Sequence, residues 1–182
     1  MDSQFGEIDP SNSASAFSSH LRLADGPIDL SWHHCSTTAE FVGELYGLRC
    51  RAQDMAYNDA RHSIGYMVNE LLENAVKFRA GGDITVQASL EENRFELKVA
   101  NHIAAETAER FQGLLAGIEG RDPGELLIER IEANAEDANS SGSGLGLLTL
   151  MSDYGVRLGW SFRKVAAGES IRLETFAALD IA

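Results

Sequence analysis

Cysteine, positive charge and long apolar runs are all scarce in this chain. The two cysteines, Cys35 and Cys50, form no CxxC pair and are too few for a disulfide framework, which suits a reducing cytoplasm. Lysine and arginine total 15 against 28 acidic residues, and the net charge of -13 would repel nucleic-acid phosphates and anionic lipid headgroups. No apolar run approaches the roughly 18 residues of a membrane helix, and no signal peptide opens the chain. We therefore expect a cytoplasmic protein whose partners include neither nucleic acid nor membrane.

The length and composition predict a single folded domain. With 182 residues, of which 44% are hydrophobic, the chain can bury one core. Residues 1–24 are rich in serine, asparagine and aspartate with few apolar anchors, which is typical of a disordered leader. The domain is therefore expected to span residues 25–182.

Short alternating stretches predict the strands of this domain. Ile28, Leu30 and Trp32 alternate with polar residues, and the same period recurs over 84–90, 95–99, 156–162 and 170–176. Residues 91–93 separate the second and third of these stretches and predict a hairpin turn.

Apolar residues at helical spacing predict the remaining elements. One helix is expected after the possible caps Ser36, Thr37 and Thr38, and a second from Asn58 or Asp59 to the glycines at 81 and 82. The stretch from about 102 to 141 holds helical patches over 105–118 and 125–135, and such a long insertion indicates a mobile lid. A last helix is expected from about residue 145 to residue 154.

The order of these elements predicts an α+β fold. It reads strand, two helices, two strands, lid, glycine turn, helix and two strands, which favours a single mixed β-sheet covered on one face by helices, a two-layer α/β sandwich.

The stretch from Asn69 to Phe78, NELLENAVKF, concentrates polar side chains on one helical stripe. Glu70 and Asn74 are four residues apart and Lys77 lies three further on, so a carboxylate, an amide and an amine project side by side. A solvated polar face of an ordinary amphipathic helix is the alternative reading of the same pattern.

A glycine-spaced turn, Ser140-Ser141-Gly142-Ser143-Gly144-Leu145-Gly146, leads directly into the last helix. Glycines let a backbone approach a polyphosphate closely, and the start of a helix offers unpaired N–H groups to an anion. A plain linker is the alternative. No Gly-Lys-Ser/Thr follows as in a Walker loop, and the turn does not follow the first strand as in a Rossmann unit.

In this order, NELLENAVKF, two strands, a lid and GSGLGL resemble the GHKL (Bergerat-fold, histidine-kinase-like) ATPase family. The first stretch is similar to its N box and the second to its G2 box, and the resemblance covers roughly residues 28 to 178. The short chain is most similar to the anti-sigma-factor type serine/threonine kinases and related bacterial partner-switching regulators. The resemblance implies the Bergerat ATP-binding fold, with ATP and Mg²⁺ as ligands.

The resemblance also implies roles for individual residues. Glu70 matches the N-box carboxylate that acts as general base, and Asn74 matches the amide that binds Mg²⁺. Lys77 would lie near phosphate. The backbone over Gly142, Ser143, Gly144, Leu145 and Gly146 would hold the phosphates, with the lid closing over them.

The adenine end departs from the family pattern. The family carries an Asp-x-Gly-x-Gly box after the hairpin, whereas this chain reads Val-Ala-Asn-His-Ile over residues 99–103. Asn101 stands in place of the aspartate and would accept the adenine amino group through its amide oxygen, with a weaker hydrogen bond than a carboxylate makes.

Two functions follow as hypotheses. The first is a protein kinase that transfers the ATP γ-phosphate to serine or threonine of a small partner of the anti-sigma-factor-antagonist type, with a homodimer possible. The second is a non-catalytic regulator that keeps the fold and acts by binding proteins. A histidine-kinase fragment is disfavoured, because no helical pair bearing a phosphoacceptor histidine precedes the domain.

Overall fold

The computed structural model describes residues 2–8, 17–25, 32–52, 56–136, 144–165 and 170–181. Over these ranges the chain forms six strands and five helices. The strands are β1 (Ser3–Gly6), β2 (Ser18–Leu23), β3 (Ile84–Glu91), β4 (Arg94–Ala104), β5 (Arg157–Lys164) and β6 (Ser170–Asp180). The helices are α1 (Trp32–Arg51), α2 (Tyr57–Lys77), α3 (Ala105–Ile118), α4 (Pro123–Glu136) and α5 (Leu145–Ser152).

The strands form one sheet in the order β1-β5-β6-β4-β3-β2, and the helices pack on one of its faces. This confirms the predicted α+β class and the two-layer sandwich. All five described strand pairings are antiparallel, where a mixed sheet was expected. Two of these pairings, β3 with β4 and β5 with β6, join consecutive strands across short connections, and strands joined in that way run in opposite directions.

The two edge strands come from the segment that was expected to be a disordered leader. Ser3–Gly6 pairs with β5, and Ser18–Leu23 pairs with β3. The prediction is therefore wrong for these segments, while residues 9–16 lie outside the described residues. An edge strand needs few apolar anchors, because one partner strand supplies its backbone hydrogen bonds and only one of its faces is buried.

The predicted strand over residues 28–33 is not the first element of the domain. Residues 28–31 lie outside the described residues, and α1 already begins at Trp32, before the expected caps Ser36 to Thr38. The prediction of a strand is wrong for Trp32 and His33, which belong to α1.

The helix α2 packs against α1 and the sheet through its apolar face. All six residues of its predicted apolar stripe are buried, namely Ile64, Met67, Val68, Leu71, Leu72 and Ala75. Glycines allow the close crossing of α1 and α2, since a Cβ on Gly43 would lie 2.8 Å from the Arg61 carbonyl oxygen and 3.2 Å from the Gly65 Cα.

The expected lid is made of two helices that match the predicted patches. Residues 102–104 belong to β4 and not to the lid. The helix α3 is anchored on the sheet, because Ala108 and Leu115 are buried and the Phe111 ring packs edge-on against Trp160 at 5.8 Å. The helix α4 contacts α5, while Ile128 and Ile131 are exposed. Within the described part of the expected lid, α4 therefore lies beside the start of α5, with the Arg130 Nε 3.8 Å from the position of a Cβ on Gly144. None of the helices described is long and apolar enough to cross a membrane.

Candidate functional site

Glu70 and Gly146 bring the two predicted halves of the site together. Glu70 is half-buried on the polar side of α2, and Gly146 lies in the first turn of α5. A Cβ built on Gly146 would overlap Glu70 Oε2 and lie 2.9 Å from Glu70 Cδ. The carboxylate thus lies directly against the backbone of the α5 first turn, in space that any residue other than glycine would fill.

The N-terminus of α5 has the features of an anion site without a side-chain cap. Gly144 is the N-cap residue, with a φ of 97° in the left-handed region that favours glycine, and no side chain among the described residues caps the helix. The first N–H groups of such a helix are unpaired within the helix, and its dipole is positive at this end. Leu145 begins the helix and is half-buried, while Gly142 and Ser143 lie outside the described residues.

The environment of Glu70 favours its protonated form. Burial raises the pKa of the Glu70 carboxyl, the negative charge of Glu73 raises it further, and a hydrogen bond from Tyr66 lowers it. Glu73 is itself held by Asn69, whose Nδ2 donates to Glu73 Oε1 at 2.8 Å. A carboxylate with a raised pKa is a better proton acceptor than one in water, which suits a general base.

Asn74 and Lys77 follow Glu70 along the same helix. The Asn74 side chain is half-buried, one turn beyond Glu70. The Lys77 ammonium is exposed and lies 5.3 Å from the centroid of the Phe78 ring, a cation–π arrangement at the end of α2. The described contacts of Lys77 therefore do not join it to the first turn of α5.

Asn74 is the side chain of this site that could bind Mg²⁺, and it would supply a single oxygen ligand. No cluster of three or more histidine, cysteine or acidic side chains suited to a metal occurs in the described part of the chain. Magnesium commonly keeps several waters and is held by one or two protein oxygens together with substrate phosphates, so a single amide such as Asn74 matches that habit.

Asn101 is placed on the helix-covered side of the sheet, and it serves the fold there. Its side chain is 3% exposed, and its Nδ2 donates a hydrogen bond of 3.2 Å to the Ala75 carbonyl oxygen on α2. This contact ties β4 to α2. The hydrogen bond uses the donor end of the amide, so the structure gives Asn101 a structural role beside the predicted adenine contact.

Sequence reasoning missed a group of residues around Glu70. The Tyr66 ring stacks on the Tyr154 ring, which follows α5, with 4.9 Å between centroids. From α4, the Arg130 Nε lies 3.8 Å from the position of a Cβ on Gly144. The spacing of Tyr66, four residues before Glu70, would have placed both on one face of α2. Nothing in the local sequence links Arg130 to the glycine turn.

Together these elements define an α/β sandwich in which the Glu70 carboxylate of α2 lies against the first turn of α5. The protein is similar in structure to a chain in the crystal structure of the SiaB-SiaC complex from Pseudomonas aeruginosa. The TM-score is 0.62, the sequence identity is 15%, and the match covers 87% of this chain and 89% of that chain. At this identity the similarity shows the fold. No protein-family model and no curated protein matches the sequence.

Proposed function

We propose that this protein is an ATP-dependent kinase that phosphorylates serine or threonine of a small partner protein. The observation that carries the proposal is the contact between Glu70 and Gly146. It places a carboxylate with a raised pKa beside a helix N-terminus that no side chain of the described residues caps. A base beside a phosphate-binding helix start is the arrangement that phosphoryl transfer to a hydroxyl needs.

Each residue of the site has a role in the proposed transfer. Glu70 accepts the proton of the partner's hydroxyl while the hydroxyl oxygen bonds to the γ-phosphorus and the bond from that phosphorus to the ADP oxygen breaks. The backbone from Gly144 to Gly146 orients the phosphates, with Lys77 and the segment at Gly142 and Ser143 as further proposed contacts. Asn74 would bind Mg²⁺, which neutralises phosphate charge when bound.

We propose that the partner is a small protein of the anti-sigma-factor-antagonist type. The similar chain from Pseudomonas aeruginosa was determined in a complex of two different proteins, which supports a protein partner for this fold. The resemblance of NELLENAVKF and GSGLGL to the kinases of partner-switching systems supports the same class.

A second candidate function is a non-catalytic regulator that binds proteins through the same fold. Asn101 favours it, because its amide donates to the Ala75 carbonyl oxygen inside the protein and residues 99–103 hold no acidic residue. Such a regulator would bind its partner without transferring phosphate to it.

Calorimetry with ATP, in the presence and absence of Mg²⁺, separates the two candidates. The kinase proposal expects Mg²⁺-dependent binding heat, and it expects radiolabelled γ-phosphate to move to a partner recovered by pulldown from the source cell. The absence of binding heat and of thermal stabilisation by ATP would favour the regulator. The pulldown with and without ATP then reports whether partner binding depends on nucleotide.

Replacing Gly146 by alanine is expected to weaken ATP binding by about tenfold or more. The new methyl group overlaps the Glu70 carboxylate and fills the surface of the α5 first turn, and such overpacking typically costs about 1–3 kcal/mol. Titration calorimetry measures the affinity, and thermal unfolding without nucleotide reports any change in the fold.

Gly113→Ala is the matched control for this experiment. Gly113 is also helical, and a Cβ there meets nothing within 4 Å, so its affinity for ATP should equal that of the wild type. Equal affinities for Gly146→Ala and Gly113→Ala would remove the α5 first turn from the proposed phosphate site.

A further inference from the structure

An apolar stripe made of Phe41, Leu45 and Leu48 lies on the surface of α1. The three residues follow one another at spacings of four and three, so they share one face of the helix. Phe41 is 53% and Leu48 is 48% exposed, and Leu45 between them is half-buried. Thr37 and Thr38 extend the same face without adding a charge. Apolar side chains without charged neighbours are typical of the core of a protein interface.

The α1 stripe faces away from α2. Gly43 and Gly47 mark the side of α1 that meets α2, since a Cβ on them would lie 2.8 and 3.0 Å from atoms of Arg61. At about 100° per residue, the stripe lies about 150° around the helix from these two glycines. The stripe therefore belongs to the outer flank of the helix layer.

This flank lies above the edge strand β2. The Tyr46 hydroxyl of α1 donates to the Ala88 carbonyl oxygen of β3 at 2.6 Å and lies 3.0 Å from Ser19 Oγ of β2. The helix α2 is tied to the next strand, because Asn101 of β4 donates to the Ala75 carbonyl oxygen. Hence α1 covers β2 and β3 while α2 covers β4, and the side of α1 away from α2 faces the β2 edge.

The strand β2 has an edge that another strand can join. It is the last strand of the sheet, and β3 is its pairing partner among the described strands. Proteins often protect such edges with lysine or proline, but β2 contains neither. Its arginine, Arg22, is bound to Asp83 of the same chain. Leu21 and Leu23 are only partly buried, which adds apolar surface beneath the α1 stripe.

A second copy of this chain fits the surface because both elements can pair with themselves about one twofold axis. In such an interface residue i of one copy contacts residue j of the other, and j contacts i. Two β2 strands can pair antiparallel about their middle, and two α1 helices can cross about Leu45, which brings Phe41 of each copy beside Leu48 of the other. The residue after Leu45, Tyr46, reaches Ser19 on β2, so a single axis serves both elements.

The dimensions of sheets and helices agree with this pairing. Neighbouring strands lie about 4.8 Å apart. The contacts of Tyr46 with both strands place α1 above the gap between β2 and β3, about half a strand spacing inside the edge. The axes of the two α1 helices would then be separated by one strand spacing and two half spacings, or about 10 Å, which is a usual distance for packed helices.

We propose that β2 and the α1 stripe form a homodimer interface, in which one sheet continues through both copies and the two α1 helices pack above it. Copies of a chain with a net charge of -13 repel one another, which favours contact through a stripe that carries no acidic residue. The stripe faces away from α2, so the contact between Glu70 and Gly146 stays outside the interface.

Sedimentation velocity of the full chain over a range of concentrations is the first test. The wild type should sediment with about twice the 19.8 kDa mass of one chain. Phe41→Glu should weaken the dimer about 100-fold or more, because each copy loses an aromatic anchor and gains a negative charge. Its fold should be retained, because Phe41 is half exposed in one copy.

Leu114→Glu is the matched control. Leu114 is 52% exposed on α3, so the substitution removes a similar apolar surface and adds the same charge outside the proposed interface. This variant should dimerise as the wild type does. Thermal unfolding of the two variants shows whether each remains folded, and Leu48→Glu provides a second substitution in the stripe if Phe41→Glu unfolds.

Cysteine crosslinking with a short bismaleimide tests the twofold geometry. Leu45→Cys lies at the axis and should link to its own copy, whereas Phe41→Cys should link efficiently only when mixed with Leu48→Cys. The native cysteines, Cys35 and Cys50, are buried, and the wild type measures any reaction that they give.

The proposal is overturned if the wild type is monomeric at every concentration, or if Phe41→Glu and Leu48→Glu leave a dimer intact. It is also overturned if Phe41→Cys links to itself as readily as to Leu48→Cys. A monomer that loses a different protein partner through Phe41→Glu would assign the surface to that partner instead. These measurements use no nucleotide, so a failure of the proposed kinase function does not change their outcome.

Discussion

Replacing Glu70 by glutamine is expected to reduce phosphate transfer about 100- to 10,000-fold, the range that a well-placed general base contributes. Glutamine has nearly the shape of glutamate and keeps the contact with Gly146, but its amide cannot accept the hydroxyl proton. The affinity for ATP should stay within a few-fold of wild type, because the phosphates are held by backbone groups. Radiolabelled γ-phosphate transfer to the purified partner measures the rate.

Glu73→Gln is the matched control. Glu73 lies on the same helix three residues further on, and its carboxylate accepts a hydrogen bond from Asn69 on that helix. Transfer by this variant should remain within a few-fold of wild type. Because the charge of Glu73 raises the pKa of Glu70, its removal should move the acid limb of the pH–rate profile to lower pH. Transfer by Glu70→Gln at the rate of Glu73→Gln would show that Glu70 is not the base.

The same Glu70→Gln substitution should stabilise the fold at neutral pH. The folded-state pKa of Glu70 lies above its ordinary value of 4.5, so the folded protein binds a proton more tightly than the unfolded chain. The Glu70 contribution to stability is therefore largest at low pH and is lost as pH rises through the window above 4.5. Denaturant unfolding of both proteins at several pH values should show the wild type falling below Glu70→Gln as pH rises.

Replacing Gly43 by alanine is expected to destabilise the protein by about 1–3 kcal/mol, the usual cost of overpacking a close contact. The added Cβ would lie 2.8 Å from the Arg61 carbonyl oxygen and 3.2 Å from the Gly65 Cα. Both neighbours belong to the backbone of α2, which cannot yield as a long side chain can. The helices α1 and α2 must therefore separate, and urea unfolding should show a lower midpoint.

Two alanine controls distinguish this clash from a general effect of the substitution. Gly65→Ala lies at the same helix crossing, but its Cβ would be 3.7 Å from the Ala39 carbonyl oxygen, an ordinary contact. Gly113→Ala lies on α3 in open space and should stabilise by about 0.5–1 kcal/mol, because alanine loses less backbone entropy in a helix than glycine. Equal stabilities for Gly43→Ala and Gly65→Ala would contradict the close helix contact.

The predicted core was accurate where the hydrophobic period was long. The stripe on α2 repeats over several turns, and its predicted apolar residues are all buried. The predicted helical patch over 105–118 coincides with α3, and the strands after residue 84 were found in order. In these stretches the local pattern and the tertiary packing favour the same structure, so sequence reasoning succeeds.

The errors fall where the evidence is not local. The segment Ser18–Leu23 has only two apolar side chains on its inner face at Leu21 and Leu23, yet it extends the sheet, because β3 offers an unpaired edge. Amino-acid composition shows that apolar residues are scarce in this segment, but it does not show that β3 has an unpaired edge. The early start of α1 at Trp32 is also a tertiary effect, because the helix α1 packs against α2.

The candidate site shows the same division between local and distant information. The spacing of Glu70 and Asn74 on one helix and the glycines before α5 were read from the sequence, because both are local patterns. The sequence also showed that Asn101 stands where the resembling family carries its adenine-binding aspartate. Only the folded chain places the Asn101 amide against the Ala75 carbonyl oxygen of α2, a contact between residues far apart in sequence.

The sequence by itself determined the α+β class, the amphipathic α2 and the glycine turn before α5, because hydrophobic period and turn residues act over a few neighbouring positions. The tertiary structure alone decided that Glu70 meets Gly146, that Tyr66 lies between α2 and α5, and that the N-terminal segments close the sheet. These contacts join distant parts of the chain, and their geometry depends on how helices and strands pack, which no local pattern encodes.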